Sequence, residues 1–142
     1  IELPDAPAPA ANYVPFVLSG NLVFVSGQVP WIGGERNFVG KVGVDYTVDE
    51  GQDAARTVAL NIIAQVKAAC DGDLDRVVRC IKLGGFVNCP DDFHQQPQVI
   101  NGASDLMVDV FGDAGRHSRF AVGAPALPFN VAVEIDAVFE VR

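Results

Sequence analysis

Apolar and polar positions follow one another along the chain in blocks that predict the order β-β-loop-α-β-α-β-β, with no internal repeat. Two apolar runs, 13–18 and 22–25, flank Ser19-Gly20-Asn21, a polar glycine-containing turn that predicts a hairpin. Leu22-Val23-Phe24-Val25 is apolar at every position, which suits a strand buried on both faces and stopped by Ser26-Gly27-Gln28. The glycine-rich stretch 31–43 predicts a loop. Thr47-Val48-Asp49-Glu50 then has the capping-box pattern, in which a threonine hydroxyl and a glutamate side chain satisfy amides left free at a helix start. Behind it, Ala55, Val58, Ala59, Ile62, Val66 and Ala69 recur at the 3.6-residue period, while Gln52, Arg56 and Lys67 occupy the watery side. Asp71-Gly72-Asp73 ends this helix.

Residues 77–87 predict a long strand that alternates from Arg79 through Ile81, Leu83, Gly85 and Val87, and whose Gly84-Gly85 pair signals a close backbone approach or a bulge. Cys89-Pro90-Asp91-Asp92 breaks the chain. A second helix from about Gln98 buries Ile100, Ala103, Leu106, Met107, Val110 and Phe111, and Gly112 closes it. Residues 115–134 carry Arg116 and Arg119 into an apolar segment that ends in a proline-marked bend. The last strand, 131–141, places Val131, Val133, Ile135, Ala137, Phe139 and Val141 on one face and Glu134, Asp136 and Glu140 on the other.

Helices with one apolar stripe each must pack on one face of a sheet, so the pattern predicts a two-layer α+β domain. The expectation is one domain over 1–142, with 1–12 as an extended, proline-stiffened arm. Several strands look apolar on both sides and nothing remains to cover the second sheet face. Association of copies through the sheet is the expected solution.

Composition narrows the partners. The formal net charge is −8, from ten Lys and Arg against eighteen Asp and Glu, with no basic run. Phosphate neutralisation supplies most nucleic-acid affinity, so a nucleic-acid partner is not expected. No apolar run reaches the ~20 residues of a membrane span. The start lacks a charged-then-apolar signal, although it begins at Ile1 rather than methionine, which leaves a preceding segment open. Cys70, Cys80 and Cys89 are odd in number and form no close pair, which points to a reducing, cytoplasmic setting. With only His94 and His117 beside them, no metal site is expected.

Nucleophile motifs are missing. Ser118 follows His117 directly, and neighbours on an extended segment point oppositely; there is no Gly-x-Ser-x-Gly elbow and no phosphate loop. The remaining candidates are Tyr13, Ser26, Asn101, Arg119 and Glu134, all near strand or helix ends. By residue type Tyr13 is more often a strand residue with its hydroxyl in water, Ser26 more often a turn residue and Glu134 usually a solvated acid than a pocket residue, and Asn101 near a helix start suits a cap. Arg119 is different. A guanidinium ahead of Ala121-Val122 needs a carboxylate or an anionic ligand.

Five stretches in order give the chain a resemblance to the Rid (reactive intermediate deaminase, YjgF-like) family from about residue 13 to 141. They are Ser26-Gly27-Gln28-Val29-Pro30, Gly72-Asp73-Leu74-Asp75-Arg76-Val77, Asp92-Phe93 with Asn101, Arg119-x-Ala121-Val122, and Leu127-Pro128 with Val133-Glu134-Ile135. The resemblance implies a chorismate-mutase-like fold, with one mixed sheet and two helices on one face. It also implies a homotrimer whose sheets form a central barrel, with sites in the clefts between subunits. The implied activity is cofactor-free hydrolysis of enamines and imines such as 2-aminoacrylate to a keto acid and ammonia. By position, Arg119 would bind the substrate carboxylate, Glu134 would position the attacking water, and the Ala121 carbonyl would hold the imine nitrogen or water. Tyr13 (from a neighbouring subunit), Ser26 and Asn101 would line the pocket; Phe120 beside Arg119 is a further substrate-binding candidate, which either reshapes the pocket or points into the core. The chain departs from the family pattern at His117, Phe120 and Ala121, where proline, a small residue and cysteine are usual, and in four extra residues around 94–99. Two other functions remain open: a non-catalytic trimeric protein that binds or senses small carboxylates, and the ribonuclease or translation-inhibitor activity ascribed to some relatives.

Overall fold

A computed structural model describes all of residues 1–142. Five strands and two helices form: β1 (Phe16–Ser19), β2 (Leu22–Gln28), α1 (Val48–Ala69), β3 (Val77–Asn88), α2 (Gln96–Phe111), β4 (Ser118–Ala124) and β5 (Val133–Val141). The sheet order is β1-β2-β5-β3-β4, antiparallel except for the parallel β3/β4 pair, so the sheet is mixed. Both helices lie on one face, giving the two-layer α+β, chorismate-mutase-like arrangement expected from the pattern.

The capping box forms as the sequence requires. Glu50 N–H donates to Thr47 Oγ1 at 3.2 Å and Thr47 N–H to Glu50 Oε1 at 3.0 Å. The whole predicted stripe of α1 is buried, but the burial is wider than one stripe. Asn61 and Gln65 are also buried because they hold neighbouring segments. Asn61 Nδ2 donates to the carbonyls of Val29 and Trp31, and Gln65 Nε2 to that of Pro7. The arm is therefore tied to the helix by its backbone.

The pattern differs in its details: β1 starts at Phe16, α2 at Gln96 and β5 at Val133, each a few residues from the predicted bounds. β2 continues through Ser26-Gly27 to Gln28, across a register shift between Val25 and Gln28. Only Val23 and Val25 of its apolar run are buried, so in the single chain this strand is covered on one face, not two. The alternation of β3 breaks because a bulge between Cys80 and Lys82 changes its phase, and Cys80 and Leu83 both end up in the core. At Gly84-Gly85 the pairing is continuous, so the glycines serve close approach. A Cβ on Gly85 would stand 2.8 Å from Ile100 of α2, and one on Gly84 2.7 Å from the Phe120 ring.

The register shows what the second face carries. Val17, Phe24 and Val138 lie side by side across β1, β2 and β5, and Glu134, Phe86 and Val122 across β5, β3 and β4. In the single chain Val17 is 50%, Phe24 44%, Phe86 40% and Val122 42% exposed. The uncovered apolar face expected from the sequence is present.

Candidate functional site

The sheet divides the candidate residues into two groups. Arg119 pairs with Leu83, which pairs with Ala137, so its side chain leaves β4 on the helix side. There Arg119 Nη1 donates to Ser104 Oγ at 3.1 Å and Nη2 to the Pro97 carbonyl at 3.2 Å. Pro97, Asn101 and Ser104 fall at i, i+4 and i+7 of α2, so Asn101 sits on the stripe between the two groups that Arg119 reaches. Ala121, two residues on, shares this side and packs at the margin of the core. Asn101 lies well inside α2, which starts at Gln96 with Gln95 before it, so it caps nothing.

No carboxylate pairs with Arg119. The ion pairs of the fold are Arg76–Asp71 and Arg116–Asp113, each at 3.4 Å and both at the surface. Two of the five guanidinium donors are spent on neutral oxygens, and the cationic charge itself is not matched. The half-buried Arg119 thus meets the condition that singled it out: a cation beside apolar backbone, with no carboxylate of its own chain paired to it.

Glu134 stands on the other face. It pairs with Phe86, whose neighbour on β4 is Val122. Burial pushes its carboxyl pKa up, and Asp136 nearby adds to the rise. Gly27, in the β2 irregularity, makes room for it: a Cβ there would lie 2.5 Å from Glu134 Oε1. Glu134 opens onto a cleft of about 910 Å³ bounded by the arm, Tyr13, Gly27, Trp31 and Phe129. Ser26 fastens the end of the arm, its hydroxyl donating to the Val14 carbonyl at 2.7 Å and its N–H to that of Pro15 at 2.9 Å. Tyr13 is thereby held at the cleft, about half exposed.

Phe120 is on the Glu134 face as well. It meets Phe86 edge-on with centroids 5.4 Å apart and lies over Gly84 and beside Lys82. Within one chain it stands on the sheet face away from Arg119 and outside the core. One chain therefore brings Arg119, Asn101 and Ala121 together on the helix side, and Glu134, Tyr13 and Ser26 around the opposite face.

Sequence reasoning passed over Ser104 and the pairing of His117. His117 Nε2 lies 2.9 Å from Ser104 Oγ, and its Nδ1 2.6 Å from the Gly115 carbonyl. A signal existed, since Asn101 and Ser104 are polar residues at helical spacing beside the apolar stripe of α2.

Comparison with known proteins agrees with this architecture. The family described as "YjgF/chorismate_mutase-like, putative endoribonuclease" matches residues 1–140. Protein TCP17 of Trypanosoma cruzi is 52% identical over 143 residues, spanning 100% of this chain and 89% of the relative. The crystal structure of Atu1372 from Agrobacterium tumefaciens is 54% identical, with a TM-score of 0.91, and the match covers 95% of this chain and 86% of that one. The E. coli protein TdcF, solved with bound serine, is 30% identical with a TM-score of 0.67, over 100% of this chain and 97% of that one. The fold, its uncovered sheet face and these matches lead to one conclusion: the chain belongs to the YjgF-like (Rid) family.

Proposed function

We propose that the protein is a cofactor-free imine and enamine deaminase, working as a homotrimer whose sheets pack into a central barrel and whose sites lie between subunits. The observation that carries the reading is Arg119, a half-buried guanidinium tethered by two neutral oxygens and matched by no carboxylate. Its free donors suit a substrate carboxylate, which a fork of N–H groups holds in fixed orientation. TdcF, at 30% identity, binds serine, a small amino acid with such a carboxylate.

In this reading Arg119 fixes a 2-imino acid so that its C=N carbon is open to water. Water adds to that carbon, the C–N bond of the resulting carbinolamine breaks, and ammonia leaves with a keto acid remaining. Glu134 serves both steps, taking a proton from water and returning one to nitrogen. A carboxyl whose pKa is raised by burial is suited to that exchange. The Ala121 carbonyl orients the nitrogen or the water; Asn101, Ser26 and Tyr13 line the pocket, and Phe120 of an adjoining copy bounds it. Because Arg119 and Glu134 leave opposite faces of one sheet, they meet only across two copies. Three buried free thiols fit a reducing, cytoplasmic setting.

Ammonia release from a 2-imino acid generated in situ tests the reading. Wild type should accelerate it and Arg119→Ala should not; equal rates would sink the proposal. The bound serine of TdcF also favours a second reading, a trimeric protein that binds small carboxylates without turning them over. Pyruvate binding with no turnover of any imine would select it. Ribonuclease activity is disfavoured by the net charge of −8.

A further inference from the structure

Arg119 is held by a chain of hydrogen bonds that runs in one direction. The Gly115 carbonyl can only accept, so the His117 Nδ1 2.6 Å away must carry a hydrogen. In the neutral ring Nε2 is then an acceptor, and its partner at 2.9 Å, Ser104 Oγ, donates to it. With its proton directed at His117, Ser104 presents lone pairs to Arg119 Nη1 at 3.1 Å. Each group donates to the next, from Arg119 through Ser104 and His117 to the Gly115 backbone, an arrangement in which every bond polarises its neighbour. The Pro97 carbonyl holds the other guanidinium nitrogen. Two fixed points remove rotation about the end of a long side chain, and Nε–H with one hydrogen on each terminal nitrogen stays free.

We propose that Ser104 and His117 are positioning residues, which hold the Arg119 guanidinium in the orientation that receives the ligand carboxylate. The proposal rests on Arg119 being a carboxylate anchor, but the holding itself is separable from what the anchor binds. His117 fits the role because Gly115 fixes its ring. Gly115 in turn is packed against the backbone of Met107 in α2, too closely for any side chain. The acceptor that orders Ser104 is thus built on the same helix edge as Ser104 itself.

The test uses the full-length protein, with pyruvate as the carboxylate probe and the NMR order parameter of the Arg119 Nε–H as a readout that needs no ligand. In wild type that bond should be nearly as rigid as the backbone. Ser104→Ala and His117→Phe should make it mobile and weaken pyruvate binding roughly tenfold, the scale of one hydrogen bond to a charged group. His117→Gln, whose amide oxygen reaches the place of Nε2, should restore both. Ser104→Ala removes one oxygen and keeps the test decisive if His117→Phe does not fold. Unchanged rigidity of Arg119 in these variants would overturn the proposal. If Arg119→Ala binds pyruvate as wild type does, the anchor reading fails, while the order parameters still decide whether Ser104 and His117 hold the side chain.

Discussion

Arg119 and Glu134 lie on opposite faces of the same sheet: Arg119 shares its side with Leu83 and Ala137, and Glu134 shares its side with Phe86 and Val122. Side chains leaving opposite faces of a sheet diverge, so no rotamer of either residue joins them within one chain. In the proposed function the group suited to anion binding and the group suited to proton transfer form one site only between two copies. This relationship links the apolar face to the chemistry, and it can be tested from both ends.

The assembly end comes first. Phe24 is 44% exposed on the open face and pairs there with Val17 and Val138. A charge at the centre of an apolar interface is costly to desolvate. Phe24→Asp should yield a folded monomer, seen as an unchanged far-UV spectrum with a monomer mass by light scattering, and it should lose activity. A variant with the same mass in solution as wild type would show that this face is not the interface.

Gly27 gives a prediction at the site. A methyl group there would collide with Glu134 Oε1 at 2.5 Å, the movable end of a side chain, and Gly27 has no positive φ to protect. Gly27→Ala should therefore change stability by less than about 1 kcal/mol, yet displace the carboxyl and reduce turnover by roughly a hundredfold, as expected for a misplaced acid–base group. Thermal melts and kinetics on one preparation check both halves.

Much of this was legible in the sequence, and the parts that were not have physical reasons. The stripe from Ala55 to Ala69 and the Thr47 capping box depend on local periodicity and local hydrogen bonds, so neighbours in sequence suffice to find them. The exposed face followed from the surplus of apolar positions. The β3 bulge at Cys80–Lys82 did not, because Cys80 and Leu83 share a face only through a pairing with β5 more than fifty residues away. Arg119 could be singled out because a cation in apolar surroundings is conspicuous. Of its support, only the polar spacing of Asn101 and Ser104 on α2 was visible; the pairing of Ser104 with His117 was not, since it depends on how α2 lies over the β4 edge.

The helix cap offers a control far from the site. Thr47 and Glu50 exchange hydrogen bonds at the start of α1. Thr47→Ala should cost about 1 kcal/mol, lowering the melting temperature by roughly 3 °C. Activity at 25 °C should be unaffected, which differential scanning calorimetry and a turnover assay would establish together.

The raised Glu134 pKa has a pH signature in the separated chain, the environment of the monomeric Phe24→Asp variant. Above the ordinary carboxyl value of 4.5 and below the raised folded value, the folded state binds more protons than the unfolded state. Stability from Glu134 is therefore fully present below about pH 4.5 and lost as pH rises through the folded value. In that background Glu134→Gln should raise the melting temperature near pH 7.5 and leave it unchanged near pH 4. An equal effect at both would contradict burial as the cause of the shift.

Subunit mixing tests the central claim most directly. Arg119→Ala and Glu134→Gln should each abolish ammonia release from a 2-imino acid when assembled alone. After equal amounts are unfolded together and reassembled, random trimers should place an intact Arg119 opposite an intact Glu134 in about a quarter of the sites, and about a quarter of the wild-type activity should return. Mixed trimers, verified by mass spectrometry, that stay as inactive as either parent would contradict a site shared between two copies.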